Sequence, residues 1–297
     1  MSVETPSTPV GDAIPTPILG QDGPVTVSVK TLLEAGAHYG HQSDKWNPKM
    51  LPFLYGEKNK VHIINLDQTM ARWEKARKAI VDVCALGGNI LFVGTKLQAR
   101  EVIIQQANRC GASYVTTRWL GGTLSNFQTL KKSIERMRKM EDLLAKANEE
   151  GSTIKLTKKE RLFMAKQITK LDANLGGLRN LKKPPEIVFI VDTTKESIAV
   201  AESRRLHIPV VAVVDSNANP QVITHPIPAN DDATKTIALF SAAVADAVLE
   251  GRKIYETRAP RELRDGGGSL VVHNKDAAAK AKAAEHVAPA PQEMSAS

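Results

Sequence analysis

The stretch EIVFIVDTTKESIAVAESRRLHIPVVAVVD, residues 186–215, contains the pattern that decides the fold. Two nearly continuous apolar runs, EIVFIVD (186–192) and PVVAVVD (209–215), stand on either side of KESIAVAESRRL (195–206), which has helical spacing. Apolar runs without alternation are typical of strands that are buried on both faces of a parallel sheet. The stretch therefore predicts a strand, a helix and a second parallel strand, joined by a right-handed crossover.

The same rhythm recurs earlier in the chain. Further strands are predicted at VHIINL (61–66), NILFVGT (89–95) and SYVTT (113–117), with helical patterns at 69–86 and 99–110 between them. Strands that alternate with helices in this way indicate the α/β class, with a doubly wound parallel sheet covered by helices on both faces.

One interval of about 70 residues interrupts this rhythm after the third predicted strand. Its apolar residues follow heptad-like spacings, first at Phe127, Leu130, Ile134, Met137 and Leu144, and again at Met164, Ile168, Leu171 and Leu175. A narrow apolar seam on two successive helices predicts an antiparallel helical hairpin, a small coiled coil inserted in the sheet domain.

These patterns give the predicted domain organisation. Residues 28–126 and 184–252 form the α/β domain, and residues 127–183 form the inserted basic helical hairpin. Residues 1–27 are rich in proline and small polar residues, which predicts a disordered arm, and residues 253–297 read as a flexible tail.

Composition favours a soluble protein with an anionic partner. The 297 residues contain 40 Lys and Arg against 32 Asp and Glu, which gives a net charge of +8 and a pI near 9.4. Cys84 and Cys110 have no metal-binding or disulfide spacing and are expected to be reduced and buried. No apolar run is long enough for a membrane span and the N-terminus lacks the pattern of a signal peptide, so a cytoplasmic location is predicted.

The glycine-containing stretch RWLGGTLSNF (118–127) stands where a phosphate-binding loop would lie. It lacks the lysine of the P-loop pattern GxxxxGK[ST], and GxGxxG is also absent. A tight turn that brings strand and helix together is therefore the favoured interpretation. Arg118 and Trp119 admit two interpretations: they hold a phosphate and stack on a base, or Trp119 packs into the base of the hairpin while Arg118 is solvated.

Positive charge is concentrated in the predicted hairpin. Between positions 128 and 183 there are 15 Lys and Arg against 7 Asp and Glu, a surplus as large as that of the whole chain. Clustered positive charge is typical of phosphate binding, although a solvated coiled-coil exterior is the alternative. A second basic segment, DKWNPKMLPFLYGEKNKVH (44–62), interleaves lysines with Trp46, Phe53 and Tyr55, which suits single-stranded or irregular RNA unless the aromatic residues cover a sheet edge.

The candidate RNA-binding residues are Lys45, Trp46, Lys49, Lys58, Lys60, Lys96, Arg118, Trp119, Lys131, Lys132, Arg136, Arg138, Lys139, Lys158, Lys159 and Arg161.

Four residues are weak candidates for a divalent metal site. Asp192 and Asp215 each end a predicted strand, where ligand sites of such sheets lie, and His38 or His41 would complete the site. Their spacing is not diagnostic, and aspartates at these positions more often cap the following turn. No catalytic triad can be assembled from the local sequence. A nucleotide-dependent enzyme and a docking scaffold remain as rival functions, and calorimetry with ATP and NAD would distinguish the enzyme.

Several long motifs resemble one known family. AGAHYGHQ (35–42), RWLGGTLSNFQT (118–129), IPVVAVVDSNANP (208–220) and IPANDDA (227–233) stand in the order found in the bacterial S-two family of small-subunit ribosomal proteins. The resemblance extends over about residues 28–252, whereas the two ends of the chain depart from the family pattern.

The resemblance implies a flavodoxin-like or Rossmann-like α/β domain that carries a protruding helical hairpin. It further implies a ribosomal protein of the cytoplasm, bound to the small subunit and acting in translation, without enzymatic activity, cofactor, small-molecule substrate or membrane. The implied partners are small-subunit ribosomal RNA and other ribosomal proteins, notably the large protein S one, which members of this family help to recruit.

Overall fold

The structure is a computed structural model that describes residues 25–148 and 156–258. Its strands are β1 (Tyr39–Gln42), β2 (Leu54–Lys58), β3 (Val61–Ile64), β4 (Ile90–Val93), β5 (Ser113–Val115), β6 (Ile187–Val191), β7 (Val210–Val214) and β8 (His225–Pro228). Its α-helices are α1 (Val29–Ala35), α2 (Leu66–Ala85), α3 (Leu97–Arg109), α4 (Phe127–Asn148), α5 (Lys158–Leu175), α6 (Ser197–Arg205) and α7 (Thr234–Arg258). Short 3-10 helices span Ser43–Lys45, Pro48–Phe53, Gly176–Leu178 and Pro220–Val222.

Five parallel strands form the central sheet, in the order β5-β4-β6-β7-β8. The register places Phe92 of β4 opposite Phe189 of β6, and Phe189 opposite Val211 of β7. Counted along the chain within this sheet, the order is 2-1-3-4-5, which is the flavodoxin-like arrangement. The predicted fold class is confirmed.

The membership of the sheet differs from the prediction by one strand at each end. VHIINL was expected to be its first strand, but β3 instead pairs antiparallel with β1 and β2 in a separate three-stranded sheet. The reason is local: Asn59 and Lys60 have φ values of 53° and 62°, and two consecutive positive φ values close β2 and β3 into a tight hairpin. The strand β8 was missed because its sequence, HPIP, contains two prolines, which only an edge strand tolerates.

Helices cover both faces of the parallel sheet. On one face, Phe92 and Phe189 pack with α1, α2, α3 and α7, and their rings meet edge to face at 5.5 Å. On the other face, Leu91 and Val188 pack with α4, α6 and the segment Pro48–Phe53. This burial on two faces explains why β4, β6 and β7 are apolar throughout.

Helices α4 and α5 lie where the inserted pair of helices is predicted, and they contact each other. Arg179, just after α5, forms ion pairs at 2.7 Å with Glu141 of α4 and with Asp172 of α5. A capping box between Thr157 and Glu160 starts α5. The hairpin itself stays a prediction, because residues 149–155, which would form its tip, lie outside the described residues.

The described residues extend slightly beyond the predicted limits of the α/β domain. The backbone N–H of Val25 donates to Asp246 at 2.7 Å, and Val25 and Val27 pack against the core. At the other end α7 continues to Arg258. The remainder of the predicted arm and tail, residues 1–24 and 259–297, lies outside the described residues.

Both cysteines are free and buried, as predicted. Burial raises the pKa of the Cys84 thiol to about 11 and also raises the pKa of Cys110, so both behave as small apolar side chains. Within residues 25–148 and 156–258, no helix is both long enough and apolar enough to cross a membrane.

Candidate nucleic-acid interface

The glycine-containing loop before α4 surrounds an anion, and that anion belongs to the protein itself. The carboxylate of Glu202, on α6, accepts hydrogen bonds from the backbone N–H groups of Gly122 at 2.6 Å, Leu124 at 2.9 Å and Ser125 at 3.1 Å. The indole Nε1 of Trp119 donates to the same carboxylate at 3.3 Å. Glu202 therefore occupies the position that a bound phosphate would take in a nucleotide site.

These contacts determine the ionisation of Glu202. Burial alone would raise the pKa of this carboxyl group, but the hydrogen bonds from Gly122, Ser125, Leu124 and Trp119 outweigh burial and lower the pKa below its ordinary value. The side chain is thus a carboxylate at neutral pH, and its charge repels a phosphate group from the same amides.

The loop also corrects one candidate RNA-binding residue. Trp119 is only 6% exposed and packs in the core with Leu124 and Phe127, so its ring offers no face on which a base can stack. Of the two interpretations left open by the sequence, packing at the base of α4 is the right one for Trp119. Arg118, next to it, is exposed.

Glu202 was not singled out from the sequence, although a signal was present. It lies on the side of α6 that also carries Ala199, Val200 and Ser203, all of which are buried. A carboxylate among buried helix positions requires a partner, and the stretch of glycines and small polar residues at 121–126 offers backbone N–H groups for this purpose.

A second cluster of charges lies at the carboxyl ends of β4, β6 and β7. The Lys96 ammonium lies 2.7 Å from Asp231 Oδ1, 2.7 Å from Asp232 Oδ1 and 3.3 Å from Asp192 Oδ2. His41, on β1, approaches from the other side, with Nδ1 at 3.1 Å from Asp215 Oδ2. The cluster therefore joins the small antiparallel sheet to the edge of the parallel sheet.

Three of the four metal candidates, His41, Asp192 and Asp215, are brought into this cluster. The fourth, His38, is not: its ring stacks against Tyr39 at 4.0 Å, and its Nδ1 is buried without a hydrogen-bond partner among the described residues. Asp192 also caps the following turn, because its Oδ1 accepts from the backbone N–H groups of Thr194 and Lys195.

The cluster contains its own cation. His41, Asp231 and Asp232 bring potential metal-ligating atoms within 4.8 Å of one another, but the Lys96 ammonium already contacts both of these aspartates. Burial and the nearby charges of Asp215 and Asp192 raise the pKa of Asp231 to about 7. Because its ammonium group contacts Asp231 and Asp232, Lys96 forms ion pairs within the protein, which corrects its assignment as an RNA-binding candidate.

Most of the remaining candidates are exposed cations. The following are exposed to solvent and form no ion pair with a carboxylate among the described residues: Lys45, Lys49, Lys58, Lys60, Arg118, Lys131, Lys132, Arg136, Arg138, Lys139, Lys158 and Lys159. Arg161 is also exposed and donates to the carbonyl of Ala147. On α4, residues 132, 136 and 139 follow helical spacing on one side, away from the buried Leu130, Ile134 and Met137.

The aromatic residues of the second basic segment divide into three environments. Phe53 is buried, with the Arg72 guanidinium 5.2 Å from its ring centre. Trp46 is half-buried and packs against His62 at 5.1 Å. Tyr55, which was not among the candidate site residues, is 82% exposed on β2 and is therefore the aromatic ring of this segment best placed to meet a ligand.

Comparison with known proteins gives a consistent result. The model of the family described as Ribosomal protein S2 matches residues 32–251. Proteins named "Small ribosomal subunit protein uS2" from Brucella ovis and Brucella suis are each 50% identical to this chain over 224 residues, which cover 75% of this chain and 86% of the relative. A protein of the same name from Desulfatibacillum aliphaticivorans is 49% identical over 235 residues, 79% of this chain and 78% of the relative.

Proposed function

Since this chain belongs to the ribosomal protein S2 family, we propose that it is a structural constituent of the small ribosomal subunit, where it binds ribosomal RNA and neighbouring ribosomal proteins. The protein is not an enzyme, in agreement with the expectation from the sequence motifs, because its relatives carry the name of a ribosomal subunit protein. Its place of action is the ribosome, in the cytoplasm.

The observation that carries the proposed RNA binding is the set of unpaired cations on α4 and α5. Lys132, Arg136 and Lys139 form a positive surface on α4, and Lys158 and Lys159 are exposed at the start of α5. Exposed ammonium and guanidinium groups that lack carboxylate partners neutralise RNA phosphates and release the counterions that surround them. The buried apolar residues of α4 hold these cations on a rigid support.

The small antiparallel sheet provides a second region for RNA. Tyr55 is exposed between lysines, and a base that is not paired can stack on such a ring. Lys58 ends β2 and Lys60 lies in the turn before β3, close enough along the chain to contact adjoining phosphates.

Contacts with proteins, including recruitment of protein S one, belong to the same proposal. Leu162 and Phe163 of α5 are 56% and 63% exposed, although they are large and apolar. Exposed apolar side chains beside cations suit a protein neighbour with an apolar surface. A docking role of α5 is therefore compatible with RNA binding through the neighbouring lysines.

The enzyme alternative has less support. The loop amides that a nucleotide phosphate would require already bind Glu202, and the carboxyl-edge aspartates already bind Lys96. We therefore propose that the protein acts without a cofactor or a metal ion.

Cosedimentation tests the proposed function. A tagged copy of the full chain is expressed in cells, and the lysate is separated on a gradient at low magnesium, where the ribosomal subunits dissociate. We expect the tagged protein to migrate with the small subunit through a moderate salt wash. Recovery only at the top of the gradient, with small subunits that lack the untagged protein, would contradict the proposal.

A further inference from the structure

A cleft of about 370 Å³ opens at the carboxyl ends of β6 and β7. One wall is the turn after β6 together with α6, and the other is the loop after β7, with Asn47 closing one side. The residues that line it belong neither to the Glu202 loop nor to the Lys96 cluster. Its volume falls within the range of small-ligand sites, and its position is the usual place for ligands in a sheet of this topology.

The cleft carries positive charge. Among the described residues that line it, Arg204 is the only charged one, and it is exposed. It forms no ion pair in the part of the chain that the structure describes. A guanidinium without a carboxylate beside it among the described lining residues favours an anionic group in the ligand, and the planar fork of arginine matches a phosphate.

One of the residues that line the cleft, Asn217, carries a hydrogen-bond acceptor in its side chain. The side-chain oxygen of Asn217 is buried and has no donor among the described residues. An acceptor without a partner destabilises the protein, so a ligand that brings an N–H group to this oxygen is stabilised. Backbone N–H groups at the start of α6, which has no side-chain cap, add further donors near Ser197.

Part of the lining is apolar. Val200 and Ala201 of α6 line the cleft together with Ala218 and Val222, which follow β7. A flat ring packs well against such apolar side chains. From Ser197 to Arg204 the wall extends for about 10 Å along α6, because a helix rises 1.5 Å per residue.

A cation, an acceptor without a donor among the described residues and apolar lining residues together match one chemical unit, a nucleoside monophosphate. We propose that the cleft binds a single nucleotide of ribosomal RNA: Arg204 holds its phosphate, Val200 and Val222 pack against its base, and Asn217 accepts a hydrogen bond from an N–H group of the base edge. This inference rests on the proposed RNA binding and deepens it.

The surroundings favour a nucleotide within RNA over a free nucleotide. Lys45 and Lys49 are exposed on the segment that contains Asn47, which lines the cleft. Exposed cations on this neighbouring segment suit a phosphate that adjoins the bound nucleotide in the RNA chain. A free nucleotide has no such flanking phosphates.

The test uses the full chain and small subunits from which this protein has been removed. Binding of fluorescently labelled protein to the subunits is measured for the wild type, Arg204→Ala and Arg205→Ala. Both variants lack one exposed arginine of α6, but only Arg204 lines the cleft. We expect Arg204→Ala to weaken binding about tenfold, which corresponds to the removal of one charged hydrogen bond, and Arg205→Ala to weaken it less than about threefold.

A second variant tests the cleft without changing its charge. Ala201 is exposed on its wall, and Ala201→Phe fills the space while circular dichroism checks that the fold is retained. Weaker binding of this variant, by about tenfold, supports the inference. Wild-type affinity for both Arg204→Ala and Ala201→Phe would overturn it, while the proposed function would stand because the subunits still bind the protein. If the wild type itself does not bind the subunits, the proposed function is contradicted, and the inference that rests on it is contradicted as well.

The source of the nucleotide is decided by calorimetry with AMP, CMP, GMP and UMP. For a nucleotide presented by RNA, we expect dissociation constants of about 1 mM or weaker for the free compounds. A dissociation constant near 1 μM that is abolished in Arg204→Ala would assign the cleft to a free nucleotide and overturn the ribosomal source.

Discussion

The carboxylate of Glu202 accepts a hydrogen bond of 2.6 Å from the backbone N–H of Gly122, which lies 80 residues earlier in the chain. Through this hydrogen bond and its neighbours, α6 fixes the loop from which α4 emerges. The orientation of the positive surface on α4 therefore depends on a buried carboxylate that contacts no ligand.

Removing that carboxylate destabilises the loop. In Glu202→Ala, the backbone N–H groups of Gly122 and Leu124 lose their acceptor in a buried place. We expect the free energy of unfolding, measured by urea denaturation, to fall by about 3 kcal/mol. Glu101→Ala is the control, because Glu101 is exposed on α3 and has no hydrogen bond or ion pair among the described residues.

The pH dependence gives a further check on Glu202. Since its pKa in the folded protein is lowered, its contribution is complete above its ordinary value of 4.5 and is lost as the pH falls through the lower folded value. The difference in unfolding free energy between the wild type and Glu202→Ala should therefore be smaller in acid than at pH 7. An equal loss at all pH values would contradict the role of the charge.

Close packing at Gly177 holds the segment after α5 against β5. A methyl group at this position would lie 2.3 Å from the backbone oxygen of Tyr114, which cannot move away without disturbing the strand. Gly177→Ala is expected to destabilise the protein by about 2 kcal/mol, measured as a lower urea midpoint. Gly121→Ala is the matched control, because nothing lies within 4 Å of an added methyl group there, and a midpoint that falls equally in both variants would refute this account.

The Lys96 cluster predicts that stability falls as the pH rises towards neutrality. Burial and neighbouring aspartates raise the pKa of Asp231 to about 7 from 3.8, so the folded state holds a proton that the unfolded state has released. The stability from this group is present below pH 3.8 and is lost as the pH rises through about 7.

Asp231→Asn removes this titration while its side-chain oxygen still accepts from Lys96. We expect the difference in unfolding free energy between pH 4.5 and pH 7.5 to become smaller by about 2 kcal/mol than in the wild type. Asp82→Asn, on the exposed side of α2, should leave that difference unchanged. The prediction is wrong if Asp231→Asn has the same pH profile as the wild type.

The sequence predicted those elements whose patterns are local. The strands β4, β6 and β7 are apolar because both of their faces are buried, and the heptad-like spacing of Leu130, Ile134 and Met137 identified the buried side of α4. The strand β8 was not predicted because a proline-containing edge strand lacks a continuous apolar pattern. The strand β3 was assigned to the wrong sheet because the apolar sequence of one strand does not determine which strands it pairs with.

The site was less predictable than the fold, since its contacts join distant parts of the chain. Lys96 meets Asp231 across 135 residues, and nothing in the local sequence distinguishes this lysine from those on α4. Trp119 was ambiguous for the same reason, because the carboxylate to which its indole donates, Glu202, is 83 residues away. The exposed cations of α4, in contrast, follow directly from helical spacing.

The central claim is that the exposed cations of α4 bind ribosomal RNA, and the salt dependence of binding tests it most directly. The variant carries alanine at Lys131, Lys132, Arg136 and Lys139, and the control variant carries alanine at four exposed lysines elsewhere, Lys30, Lys75, Lys78 and Lys253. Both variants have the same net charge. Affinity for small subunits lacking this protein is measured over a range of salt concentrations.

We expect the α4 variant to bind more weakly and to reduce the slope of log affinity against log salt by about 3 to 4, close to one unit for each phosphate that is no longer neutralised. The control variant should keep the wild-type slope to within about one unit. A slope for the α4 variant equal to that of the control would show that α4 lies outside the RNA interface and would contradict the account.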